Sequence, residues 1–234
     1  MSSRKIKQQV LALLSGRDLV SIFEDLRQWP TKDVVNVLFS AICREDSSVR
    51  WHAISCMGVT VARLADEDME EARIIMRRLL WSLNDESGGI GWGASECLAE
   101  IMCGHAGLAE EYVHMLISYM REDGAEICHD GNYIEHPLLQ RGILWGIARL
   151  SRCNPELLLQ KSVGPDILPY FAASDAETRG LAALAAGALQ LLDARSSLRK
   201  MITDCTPLTV YQEGVFLETT VGRLSLSALE AMNG

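Results

Sequence analysis

Two stretches 129 residues apart align without a gap: EDSSVRWHAISCMG (45–58) and SDAETRGLAALAAG (174–187). Asp46 falls on Asp175, Arg50 on Arg179, Ala53 on Ala182 and Gly58 on Gly187. The same frame sets Ile90, Trp92 and Ala94 over Val49, Trp51 and Ala53, and a looser copy starts at Leu138 or Leu139. Steps of roughly 40 to 48 residues are the spacing of a two-helix repeat. A chain built this way stacks supersecondary units, because each repeat can bury its apolar face only against its neighbours.

The hydrophobic pattern agrees with helices. Between Met69 and Leu83 the apolar positions are 69, 72, 75, 76, 79, 80 and 83, with Arg73, Arg77 and Arg78 on the other side. Leu108, Tyr112, Met115 and Tyr119 repeat the period. Asn154 before Pro155 predicts a helix start, and Pro137 predicts another. The pattern fails after residue 204. In PLTVYQEGVFLETT (207–220) two β-rich runs flank Glu213-Gly214, which predicts a hairpin turn. VGRLSLSALEAM then reads as a last helix capped by Thr219 or Thr220.

At this point the chain resembles the HEAT-repeat proteins, closest to the short bacterial group called PBS-lyase HEAT-like. The residues that carry the resemblance are Asp46, Val49, Arg50 and Ala53, and again Asp175, Thr178, Arg179 and Ala182. Repeat two departs, with Gly91 where the arginine should stand, and repeat three offers Gln140 or Arg141 according to register. The resemblance spans residues 30–192. It implies an all-α, right-handed solenoid of HEAT-like helix pairs over 1–204, with a hairpin-and-helix cap over 205–234. Functionally it implies little, since such proteins include scaffolds, chromophore lyase subunits and, among related helical repeats, DNA glycosylases.

Composition trims those options. The 234 residues carry a net charge of −9, with 48% hydrophobic and 23% charged residues. That balance describes a folded chain with a sizeable core. A nucleic-acid binder needs a concentrated basic face, whereas the basic groups here are diluted by acids, so no nucleic-acid partner is expected. The longest nearly apolar run, Leu181 to Leu192, is shorter than the roughly 20 residues of a membrane span, so no membrane partner is expected either. The N-terminus reads as an amphipathic helix, not a signal peptide. Seven cysteines without a C-x-x-C pair read as reduced, mostly buried thiols of a cytoplasmic protein.

Three features could carry function. The first is SGGIGWGAS (87–95): glycine in a helix costs about 1 kcal/mol relative to alanine, and Gly91 and Gly93 are expected in the first turns of one. Either bare amides around Gly88, Gly89, Gly91 and Trp92 cradle an anion or cofactor phosphate, or these glycines allow close packing like Gly58, Gly142, Gly146, Gly180 and Gly187. A dinucleotide fingerprint is excluded, because a helix and not a strand precedes it.

The second feature is aromatic. Trp51 lies at roughly 200° on its helical wheel, nearly opposite the arc of Val49, Ala53 and Met57. Trp92 does the same in repeat two, and Arg141 or Trp145 reaches this side in repeat three. These residues either line a second-helix groove as binding anchors or pack against adjacent repeats.

The third is the long connection 121–142, which holds Cys128, His129, Asp130, Glu135 and His136. Cys128, His129 and His136 are metal-ligand types, but their spacing matches no zinc pattern, and His136 can instead stand at the start of the Pro137 helix. No nucleophile motif, P-loop or paired catalytic carboxylate stands out, and Arg50 and Arg179 are expected to pair with turn acids such as Asp46 and Asp175 from repeat to repeat. The sequence therefore points to a non-catalytic scaffold without cofactors. It would bind a basic or neutral protein partner through Trp51, Trp92, Arg141 and Trp145. The alternative is a small-molecule or anion-binding protein, or an enzyme subunit like the chromophore lyases, using the 88–92 segment with Glu135 and His136.

Overall fold

The computed structural model describes residues 3–16, 18–84, 91–122 and 132–233. The helices are α1 (Ser3–Leu14), α2 (Leu19–Leu26), α3 (Thr31–Ala41), α4 (Ser47–Glu67), α5 (Met69–Leu83), α6 (Ala94–Gly104), α7 (Ala106–Ser118), α8 (Pro137–Cys153), α9 (Pro155–Gln160), α10 (Gly164–Ile167), α11 (Ala176–Ala188), α12 (Arg195–Met201) and α13 (Val221–Ala231). Strands β1 (Pro207–Gln212) and β2 (Val215–Thr220) form an antiparallel pair. The fold is an all-α repeat solenoid with a small C-terminal hairpin. It divides into two compact units, Met1–Ala109 and Glu110–Gly234.

In the first unit α1 packs on α3, α3 on α4, and α4 on both α5 and α6. The expected α5 appears with Ala72, Ile75, Met76, Leu79 and Leu83 buried. The acid-rich stretch at its start has a local cause: Asp68 closes α4 and accepts the Glu71 amide at 3.2 Å, while Glu70 and Glu71 sit in the favourable first turn. Helix α4 is buried along most of its length, from Val49 to Ala65, so it carries only a weak polar face.

In the second unit α11 packs between α8 and α13, and α12 packs on α13. The segment ahead of α11 is not one helix but α9, α10 and a 3₁₀ turn over Leu168–Ala172, the last two packed on α11. Pro165 and Pro169 fall in the first turns of α10 and the 3₁₀ segment, where a missing amide costs no hydrogen bond.

The aligned repeat starts share their geometry. Asp46 accepts the Val49 amide at 3.0 Å, and Asp175 accepts the Thr178 amide at 2.9 Å. The glycines shared by the repeats also do the same work. A β-carbon on Gly58 would lie 2.7 Å from Glu100 Cβ of α6, and one on Gly187 would lie 2.8 Å from Ala228 of α13. Successive second helices thus approach closer than a side chain allows.

At the C-terminus Gln212 pairs with Val215 across Glu213 and Gly214, which have φ of 49° and 90°. Positive φ at both positions is the two-residue turn whose twist matches the strands. Thr220 caps α13, accepting the Arg223 amide at 3.2 Å. Cys43, Cys56, Cys97 and Cys205 are free thiols, with Cys56 and Cys97 buried as expected. Cys103 in the first unit is not a free thiol, nor is Cys153 in the second, which departs from the expectation of wholly reduced cysteines. No described helix is long and apolar enough to cross a membrane.

Candidate interaction surface

In the second unit two arginines organise the edges of α8 and α11. Arg141 on α8 forks onto Asp175, the cap of α11, with Nε donating at 2.9 Å, and its Nη1 lies 3.1 Å from Glu177. Burial pushes the Asp175 carboxyl up, but the hydrogen bonds from Arg141 and Thr178 outweigh it and hold the acid below its ordinary value. Arg179 repeats the device one step on, donating to Asp204 and to the carbonyls of Ala173 and Ser174. A ladder was expected from the repeat positions. Two rungs are seen, Arg141 to Asp175 ahead of α11 and Arg179 to Asp204 ahead of β1, so Arg179 pairs with a later acid and not with its own repeat's Asp175. Arg50, in the first unit, is half-buried and attracts Glu96 in the first turn of α6.

Arg141 is therefore committed to this ladder. Trp145, one turn further along α8, is buried at 6% exposure, and its Nε1 donates to the Tyr211 carbonyl of β1 at 2.9 Å. Across the hairpin turn Arg152 holds Glu213 at 3.1 Å. Trp145, Leu181 and Leu184 share a pocket with Val210, Tyr211 and Gln212, so the hairpin lies over this side of α8 and α11.

In the first unit Trp51 is half-buried on α4. Trp92 is 38% exposed and stands in the turn before α6, not within it. The repeat frame puts both in helices, but Gly93 takes a left-handed φ of 73° as the cap of α6, and the helix begins only at Ala94. A β-carbon on Gly91 would sit 2.5 Å from the Ser82 carbonyl oxygen of α5. Close approach and a left-handed turn thus account for these two glycines, which lie ahead of the helix and not in its first turns. Gly88 and Gly89 lie outside the described residues, as do Cys128 and His129.

Glu135 and His136 are exposed immediately before α8. His136 holds the cap position without a side-chain hydrogen bond to the helix. Among the described residues no group of three or more His, Cys, Asp or Glu side chains is arranged to hold a metal. The structure brings Arg141 and Trp145 together on α8 beside α11, while Trp51 and Trp92 belong to the other unit.

One exposed aromatic escaped the reading of the chain. Trp81 on α5 is 75% exposed, and Ile74, two turns earlier, is exposed with it. The signal was present, since both positions fall off the buried arc of 72, 75, 76, 79 and 83.

No family model matches the chain, and no curated protein matches it. Solved structures do. An engineered protein is similar with a TM-score of 0.53 at 16% identity, over 100% of this chain and 97% of that one. A second engineered protein has a TM-score of 0.51 at 14% identity, over 97% and 99%. A designed armadillo repeat protein, solved in complex with the peptide (KR)4, also has a TM-score of 0.51, at 16% identity over 96% and 98%. At such identities the likeness shows the fold alone, and that fold is a helical repeat of the armadillo type.

Proposed function

We propose that this chain is a non-catalytic interaction module that takes an extended, basic or neutral segment of a protein partner along its second-helix surface. The observation that carries the reading is the bond from Trp145 Nε1 to the Tyr211 carbonyl. On α8 this surface already receives an extended strand in cis, with an indole N–H reading its backbone. In the first unit Trp51 is half-buried on α4 and Trp92, in the turn before α6, is 38% exposed, so both keep accessible surface. Aromatic side chains of this type dominate binding energies when a partner buries them.

The net charge of −9 favours a basic segment, drawn in by long-range attraction. The designed armadillo neighbour holds a Lys-Arg peptide, which is the same chemistry on the same fold. Within the HEAT/armadillo type, the Asp46–Arg50 and Asp175–Arg179 starts favour the PBS-lyase HEAT-like group.

The test is fluorescence anisotropy of a labelled (Lys-Arg)4 peptide at low ionic strength. Wild-type protein should bind saturably, and Trp51→Ala with Trp92→Ala should weaken binding at least about tenfold with helical content retained. Equal affinity in the double variant would remove this site assignment, and no binding at all would remove the basic-segment reading.

A further inference from the structure

The first unit holds a cleft that the interaction surface does not use. A cavity of about 470 Å³ lies between the end of α2, the start of α3 and the last turns of α4, lined by Arg27, Trp29, Thr31, Lys32, Arg63 and Glu67. A second space of about 240 Å³ shares Arg27 and Arg63 and is lined also by Asp66. The larger cavity thus gathers three cations against one acid, in a chain whose net charge is −9.

The hydrogen-bonding state of these groups is unusual. Arg63 Nη2 donates to Thr31 Oγ1 at 3.0 Å, but its Nε is buried and has no hydrogen-bond partner among the described residues. The nearest acid, Glu67, stands 4.0 Å from that nitrogen, beyond hydrogen-bond reach. Glu67 thus meets Arg63 through charge alone, and the buried Nε–H, on a side chain 31% exposed, would gain a hydrogen bond from an acceptor supplied from outside. The Arg27 guanidinium is exposed and pairs with no acid among the described residues. Lys32 is partly neutralised by Glu71 at 2.9 Å. At the uncapped start of α3 the amides of Asp33 and Val34 turn back to Pro30, whereas those of Thr31 and Lys32 have no partner among the described residues.

From this convergence we propose that the cleft binds a small phosphate monoester. The donors come from three elements, α2, α3 and α4. A planar carboxylate satisfies one fork, while a tetrahedral dianion offers acceptor oxygens to several sides at once. The cleft is also larger than a bare phosphate needs, and Trp29, Pro30 and Leu64 give it an apolar wall for the esterified group. Glu67 and Asp66 are the opposing charges, and they favour a ligand held between the two arginines and away from the end of α4. The site shares no residue with the proposed peptide anchors and stands independently of them.

The experiment is isothermal titration of the full chain with phenyl phosphate and, in parallel, inorganic phosphate. Phenyl phosphate should bind saturably at one site and more tightly than inorganic phosphate. Arg27→Gln and Arg63→Gln should each weaken it about tenfold or more, whereas Arg223→Gln, the same loss of charge on exposed α13 surface, should not. Because Arg27 makes no side-chain bond among the described residues, its substitution tests the site even if Arg63→Gln lowers stability. Absence of saturation below about 1 mM, an unchanged affinity in Arg27→Gln, or an equal loss in Arg223→Gln would overturn the proposal.

Discussion

Arg179 on α11 reaches Asp204, 25 residues further along the chain, just as Arg141 on α8 reaches Asp175. Both arginines are mostly buried or half-buried, and both acids also hold the backbone of their own turn. Each rung therefore ties the side of one helix to a later turn, the one ahead of α11 for Asp175 and the one ahead of β1 for Asp204.

Removing one member of a rung leaves the other partly buried without its partner. Arg179→Met should lower the stability of the protein by about 1–3 kcal/mol, read as a shift of the urea midpoint. A double-mutant cycle with Asp204→Asn should show that the two losses are not additive.

Acid should weaken the same rung. Hydrogen bonds from Thr206, then from Arg179, hold the Asp204 carboxyl down to about 2, against an ordinary 3.8. A depressed folded-state pKa means the contribution is whole above pH 3.8 and is lost as the pH falls from there towards 2. The melting temperature of wild type should therefore exceed that of Asp204→Asn at pH 5, by an amount worth roughly 1 kcal/mol, and the two should converge by pH 2.

Gly58→Ala sets two effects against each other. Alanine gains about 1 kcal/mol of helix propensity, but its β-carbon would meet Glu100 Cβ at 2.7 Å and the Glu100 carbonyl at 2.9 Å. The neighbour is helix backbone and cannot move alone, so a net loss of about 1–3 kcal/mol is expected in denaturant unfolding. A neutral or stabilising outcome would mean that α4 and α6 separate freely.

Trp145→Phe keeps most of the buried ring but removes the N–H that holds the Tyr211 carbonyl. The cost should be near 1 kcal/mol, and amide exchange over residues 207–220 should rise more than exchange in α11.

Trp81 makes the converse case. At 75% exposure, Trp81→Gln should leave stability within about 0.5 kcal/mol of wild type, and acrylamide should quench Trp81 far more readily than Trp145.

Local chemistry was enough to read much of this protein from its chain. The period of α5, the Glu213-Gly214 turn and a threonine cap at 219 or 220 depend on contacts within a few residues, and there the sequence by itself determined the structure, with Thr220 as the cap. The repeat frame likewise carried the recurrence of glycine at the helix–helix approach. What it could not carry were partners supplied by distant segments. Position on a helical wheel set Trp145 on the side away from its own repeat's core, but only the tertiary structure decided that β1 would cover it, 66 residues on. The wheel also put Trp92 in a helix, until the contact of Gly91 with Ser82 and the left-handed Gly93 moved the helix start past it. Arg27, Lys32 and Arg63 look like unrelated surface charges in sequence, and they line one cleft because α2, α3 and α4 converge there. Periodicity encodes which face of an element is buried, whereas the identity of what buries it depends on long-range packing that no local pattern records.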